Sequence, residues 1–246
     1  MEQKLPLYNR LQVLLLNLLR VYPHSQRENW VKLQIESIEA GKKILDAGCG
    51  WQIYRPYCSH LQYYSQDFGK YDGIGDGEGA QTRIFEYGKL DYVGNIWEIN
   101  EVDNFFDVIL CTEVIEHVPY PNETIKELYR IIKPGGVLLI TAPFNSAPHM
   151  TPYYYYSGFA SNWYRYSGES LGLEIESMEF CGNAMDKNIF DLLRISKFIS
   201  FIPFRVGYLV ITALFIVPFL KIAYFFMSDT SKDSCFGLFV RYRKKC

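Results

Sequence analysis

The sequence predicts an α/β fold: a mostly parallel seven-stranded sheet with helices on both faces, and an apolar helical insertion before the last strand. Three observations carry this expectation. Short apolar runs alternate with helical stretches between Lys43 and Thr141, the pattern of a sheet wrapped on both faces. The first run ends in a glycine turn, Gly48-Cys49-Gly50. A strongly apolar stretch from Ile199 to Met227 interrupts the last third, where such a core needs none.

Taken in order, residues 7–40 read as two helices, a Leu-rich one near 11–19 and a second from Glu28 to Glu39 that stops before Gly41. Strands follow at Lys43–Asp46, Gln62–Gln66, near Tyr92–Gly94, at Asp107–Cys111 and at Val137–Thr141. A helix from Pro121 to Ile132 precedes the fifth strand and is stopped by Pro134-Gly135-Gly136. The sixth and seventh strands are expected at Leu173–Glu179 and Cys235–Tyr242. The chain thus divides into N-terminal helices at 1–40, a ligand-binding core at 41–182, the insertion at 183–232 and a last core strand at 233–246.

Composition narrows the function. With 49% apolar and 21% charged residues, a substantial core forms and wholesale disorder is excluded. The formal charge is −2 and no basic stripe is visible, which argues against a nucleic-acid partner. None of the six cysteines forms a C-x-x-C pair, so they read as free thiols in a reducing, cytoplasmic compartment.

The candidate ligand site gathers at the strand ends. Gly48 and Gly50 permit positive φ and close approach of a ligand to the backbone. Asp46, directly before them, suits a ligand carrying an amino group and would repel a pyrophosphate. Asp67 ends the second strand 19 residues after Gly48, placed to accept hydrogen bonds from both hydroxyls of a ribose. Asn95, after the third strand, would meet an adenine edge; Thr112 and Glu113, ending the fourth, would face the reactive end. A dinucleotide site needs a third glycine after Gly48, but Ile53 and Tyr54 stand there.

The order Leu45-Asp46-Ala47-Gly48-Cys49-Gly50, then Gln66-Asp67-Phe68, Gly94-Asn95-Ile96, Phe106 to Pro119 and Leu128 to Phe144 resembles the class I S-adenosylmethionine (SAM)-dependent methyltransferases. The resemblance is to the small-molecule branch that includes ubiquinone-biosynthesis enzymes and methyltransferases of polysaccharide pathways. It covers roughly residues 40–180 and the final strand. It implies a Rossmann-like fold and SAM as cofactor. Asp46, Gly48 and Gly50 would form the methionine-side loop, Asp67 would bind ribose, Asn95 adenine, and Thr112 and Glu113 would border the methyl donor. Two positions depart from the family pattern: Gln52 replaces a third glycine, and Asn95 stands where an acid is frequent.

A hydroxyl acceptor would need a general base. His117 and His149 lie at the ligand edge and are the catalytic candidates, against the competing reading of ordinary loop histidines. Glu113, Glu116, His117 and His149 resemble the metal-binding pattern of some ubiquinone-pathway and RNA-end methyltransferases, with Glu113 and Glu116 expected one helical turn apart. The same string occurs in relatives that bind no metal, so a metal stays open. In the aromatic segment after the fifth strand, Tyr153, Tyr156, Trp163 and Arg165 are expected to contact substrate as a lid; a loop packed on the sheet edge is the alternative. The expected activity is methylation, at oxygen, of a small-molecule, glycan or lipid-linked acceptor; a non-catalytic scaffold or membrane-bound partner of the same fold is the alternative.

The insertion carries no charge between Arg205 and Lys221. One full membrane span would strand the last strand on the wrong side. The segment is therefore expected to lie in the interface, or to dip in and return near Pro218, on the inner face of a membrane. Packing on the domain or at a dimer interface is the alternative.

Overall fold

A computed structural model describes residues 23–246. The Leu-rich helix expected at 11–19 lies outside the described residues. The elements are α1 (Pro23–Glu36), β1 (Lys43–Ala47), β2 (Gln62–Asp67), β3 (Tyr92–Val93), β4 (Phe106–Thr112), α2 (Pro121–Ile131), β5 (Ile132–Pro143), α3 (Ser161–Leu171), β6 (Leu173–Cys181), α4 (Ala184–Ile195), α5 (Ile202–Ile211), α6 (Val217–Phe225) and β7 (Gly237–Lys244).

The seven strands form one sheet in the order β3-β2-β1-β4-β5-β7-β6. Strands β1 to β5 pair in parallel, and β7 runs antiparallel to β5, from Val137 opposite Arg243 to Pro143 opposite Gly237. Parallel strands covered on both faces read as unbroken apolar runs. Accordingly Ile44, Leu45, Ile109, Leu110, Leu138, Leu139 and Ile140 are fully buried. Each contributes about 1.5–3 kcal/mol of burial free energy. The chain order reverses beside β1, which pairs with β2 on one side and β4 on the other. The crevice for a ligand opens at the carboxyl ends of these strands.

Two boundaries differ from expectation. Helix α1 already includes Pro23, five residues before Glu28, and ends at Glu36 rather than Glu39. At that end Ser37 hydroxyl closes back on the Gln34 carbonyl. After α2, β5 begins at once: Ile132 pairs with Phe106, and a register irregularity between Phe106 and Val108 absorbs the extra residues. Pro134-Gly135-Gly136 therefore lies inside the strand, not between helix and strand.

Residues 27–179 and 237–246 form one compact unit, and a second is built around 180–236. In the second, Asn183 caps α4 by accepting from the Asp186 N–H at 3.0 Å. Helices α5 and α6 are one continuous 24-residue helix from Ile202 to Phe225, joined through a π turn at Thr212–Ile216. By length and mean hydropathy, 2.2, it could cross a membrane. The expected reversal near Pro218 is corrected: the chain passes straight through, because the wider π turn just before it accommodates the missing proline N–H. The reversal lies instead between α4 and α5. Met185, Ile189 and Leu193 of α4 pack on Leu209 and Val217 of the long helix. The insertion closes on itself, with Phe236 N–H donating to Cys181 carbonyl at 2.9 Å.

Candidate active site

The turn after β1 is held open by its neighbours. Gly48 and Cys49 both donate their N–H groups to the Gln66 carbonyl, at 2.8 and 2.9 Å. Gly48 also donates to Gln66 Oε1 at 3.1 Å, while Gln66 Nε2 donates to the Gly94 carbonyl at 2.7 Å. One buried amide thus ties the turn after β1 to the turn after β3. Gly48 sits at φ +73°, and a Cβ there would lie 2.6 Å from Val114 Cγ1. Gln52 takes over the backbone role of the missing third glycine at φ 55°. Its Nε2 donates to the carbonyls of Tyr87 and Lys89, which offsets the strain of that conformation.

These turns bound a cavity of about 420 Å³, large enough for a nucleoside-sized ligand. Gly48, Gly50, Asp67, Asn95, Thr112, Glu113 and His117 all line it. Asp67 Oδ2 accepts from Gly50 N–H at 3.0 Å and Oδ1 from Gly69 N–H at 3.2 Å. An ionised carboxylate has about four acceptor sites, so capacity for two ribose hydroxyls remains. Asn95 donates to Glu98 at 2.6 Å, which fixes its amide and leaves its oxygen as an acceptor for an adenine amine. Asp46 is a correction. It is 1% exposed, does not line the cavity, and accepts from Tyr63 hydroxyl at 2.7 Å. Burial, against that hydrogen bond, raises its pKa to about 7. Asp46 thus turns to Tyr63 on the neighbouring strand β2, buried beneath the turn.

At the reactive end, Glu113 sits at φ 53° and accepts from Arg27 at 2.7 Å and Thr141 at 3.1 Å. Arg27 comes from α1 and lines the cavity; no local motif marks it in the sequence. The segment after Glu113 is a short 3₁₀ turn, Ile115–His117, and Glu113 stands outside it at φ 53°, so the expected helical turn from Glu113 to Glu116 is absent. Glu116 is fully buried with neither carboxyl oxygen hydrogen-bonded. Burial, then the Glu113 charge, pushes its pKa well up. His117 Nδ1 is 2.6 Å from the Tyr153 carbonyl, and its ring meets that of His149 edge-on at 4.7 Å. Burial and the neighbouring His149 lower the pKa of His117 to about 4. Glu116 Oε1 approaches His117 Nε2 to 3.7 Å.

His149 does not itself line the cavity, though Met150 does. The long segment between β2 and β3 holds it in place: Ala80 bridges His149, Met150 N–H donates to Ala80 carbonyl at 2.9 Å, and Thr151 hydroxyl donates to Asp76 at 2.6 Å. Ligand atoms of Glu116, His117 and His149 lie within 4.8 Å of one another, a donor set able to hold a divalent cation.

Of the expected lid residues, Tyr153 lines the cavity, joined by Tyr155. Tyr156, Trp163 and Arg165 do not, and are corrected. Tyr156 hydroxyl donates to the Pro119 carbonyl, Trp163 Nε1 donates to Asn122 and stacks on Phe159, and Arg165 faces outward from α3. Residues from Ser161 are helix, in which Tyr164 is buried, Trp163 packs against Phe159 and Tyr164, and Tyr166 is exposed.

Comparison with known proteins agrees with this geometry. A profile of the methyltransferase domain family matches residues 24–180. Ubiquinone biosynthesis O-methyltransferases of Pseudomonas entomophila and Pseudomonas fluorescens are 36% and 35% identical over 117 residues. That stretch is 45% of this chain and 47% of each relative, so the match spans about half of their length. Among solved structures, a SAM-dependent methyltransferase from Archaeoglobus fulgidus superposes with a TM-score of 0.52 at 14% identity, covering 88% of this chain and 94% of that one. The cyclase SpnF gives 0.54 at 13% identity, covering 89% and 80%, so the same fold also serves a chemistry other than methylation. Together with the glycine turn, Asp67 and the cavity they bound, the match over residues 24–180 shows that the chain belongs to the class I SAM-dependent methyltransferase family.

Proposed function

We propose that the protein transfers a methyl group from SAM to a hydroxyl of a small-molecule acceptor, glycan or lipid-linked, with His117 as the general base. The observation that carries this is one cavity lined both by Gly48, Gly50, Asp67 and Asn95 and by Glu113 and His117. Bound SAM supplies a methyl group already activated on a sulfonium, so the protein's task is alignment, exclusion of water and acceptance of one proton. Asp67 and Asn95 would hold the adenosine. Arg27, beside Glu113, would meet the carboxylate of the methionine end. His117, neutral at pH 7 and donating Nδ1–H to the Tyr153 carbonyl, would take the acceptor proton at Nε2; His149 is the neighbour that would relay it. Tyr153, Tyr155 and Met150 offer an apolar wall to the acceptor. The relatives named for ubiquinone biosynthesis favour oxygen as the atom methylated. The apolar insertion favours an acceptor met at the inner face of a membrane by a peripherally bound cytoplasmic enzyme.

Calorimetry with SAM and, in parallel, NADH tests the cofactor. Tritiated SAM with fractionated cell extract then tests the acceptor, label entering the lipid or the saccharide fraction being expected. A protein that binds SAM but transfers no label to any fraction would overturn the reading in favour of a scaffold.

A further inference from the structure

The helical insertion has a surface that the methyltransferase core does not explain. The long helix, Ile202–Phe225, is about 36 Å by the helical rise, yet only 17% of its most apolar window is buried. Before the π turn, stepping about 100° per residue places Ile202, Val206, Val210, Ile211 and Phe204 over an arc of about 200°. All five are exposed. The helix's polar side chains turn the other way. Tyr208 hydroxyl donates to Leu192 carbonyl at 2.8 Å, Lys221 pairs with Asp186 at 3.3 Å, Tyr224 hydroxyl accepts from Asn183 at 3.0 Å, and Thr212 is buried.

We infer that this helix lies flat in one leaflet of an anionic phospholipid bilayer, immersed along its whole length, with α4 on the water side. This sharpens the membrane association proposed above to one geometry and one set of residues. Three features select lipid as the occupant. A folded partner covers one face of a helix, about a third of its circumference, whereas fluid acyl chains wet an arc of more than half. Exposure is uniform from end to end: Phe204 is 65% exposed, Phe215 68% and Phe225 84%. A helix about 10 Å across fits within one leaflet of a core about 30 Å thick. Charge is arranged to match: α4 carries the Lys187–Asp191–Arg194 ion pairs, and Arg194, Lys197 and Arg205 cluster at the turn between the helices, where headgroup phosphates would meet them. A full span is excluded by topology, because the chain enters the insertion at Cys181 and leaves at Phe236, hydrogen-bonded to each other.

The test is sedimentation of the full chain with vesicles of phosphatidylcholine, with and without phosphatidylglycerol. The protein should pellet with both, more with the anionic vesicles, and stay bound in about 1 M salt, which screens charge but not apolar burial. The Leu214→Glu/Phe219→Glu variant should lose vesicle binding by about tenfold or more, while its circular dichroism melt and SAM binding match wild type. Those two readouts separate a failure of docking from a failure of the methyltransferase reading. Single Phe204→Trp, Phe215→Trp and Phe225→Trp variants should all gain fluorescence that brominated lipid quenches. Quenching at Phe204→Trp alone would mean insertion by the turn and would overturn the flat geometry. Wild type left in the supernatant, or a dimer that the double-Glu variant splits, would overturn lipid as the occupant.

Discussion

Replacing Asp67 tests the cofactor site and the architecture of its loop together. Its two carboxylate oxygens accept from Gly50 and Gly69 at 3.0 and 3.2 Å, and it is 6% exposed. Ribose hydroxyls would use the remaining capacity. Burial raises the Asp67 pKa, and the backbone N–H groups of Gly50, Gly69 and Phe68 oppose that rise. Asp67→Ala removes every bond at once. Losing hydrogen bonds to a charged group costs about 1.5–3 kcal/mol, an affinity loss of about 10- to 150-fold for SAM. The variant also leaves two loop N–H groups unpaired, so stability falls as well. At about 2–4 °C per kcal/mol for a chain of this size, the melting temperature should drop by several degrees. Asp67→Asn keeps one oxygen and should fall between the two. The assays are titration calorimetry with SAM and a thermal melt of each ligand-free variant. A folded Asp67→Ala protein that binds SAM as wild type does, while melting lower, would refute the ribose assignment and leave Asp67 as a loop anchor only.

His117→Ala should lower turnover by about 10²–10⁴-fold with SAM affinity nearly unchanged, and His149→Ala by less, as single-turnover assays with an identified acceptor would show. Because His117 titrates near 4 when folded and near 6.5 when unfolded, it adds about 3 kcal/mol above pH 6.5 that is lost as pH falls from 6.5 to 4; denaturant melts of wild type against His117→Asn measure that difference. Glu116 has the opposite sign, since its raised pKa costs stability as pH climbs above the unfolded value near 4.5. With EDTA present, Glu116→Gln should therefore stabilise the protein at pH 8 and be neutral at pH 4, whereas added Mn²⁺ that stabilises wild type but not this variant would show a cation held there. Gly48→Ala, at φ +73° and against the stiff Val114 side chain, should cost at least about 1–3 kcal/mol in a urea melt and abolish SAM binding.

The strands were legible because parallel strands buried on both faces announce themselves as apolar runs, and every one of the seven falls within two residues of expectation except β5, which starts five residues early beside β4. The ligand-binding positions were legible where a strand end meets a glycine or an acid. Asp46 was misplaced because sequence position before the turn does not say which face of the strand carries the side chain. Arg27 was invisible for a different reason: it reaches the site through tertiary packing, with no motif around it. Gln52 looked like a defect because glycine is the usual residue at positive φ, and only its bonds to Tyr87 and Lys89 show how an amide side chain stabilises that conformation. Aromatic composition gave no direction at Trp163 and Arg165, since a lid and an amphipathic helix draw on the same residues.

The hydrogen bond from Phe236 to Cys181 has a consequence for how this chain tolerates change. A segment whose two ends already touch can be lengthened, shortened or exchanged with little effect on the sheet, because each doubling of a closed loop adds only about 0.6 kcal/mol of entropy. Selection could therefore retune the helical segment between β6 and β7 for a new setting while the strands carrying Asp67 and His117 stay untouched. The same junction offers a grafting point, where residues 182–235 of this protein could be moved onto a soluble relative to carry the segment's surface properties with them.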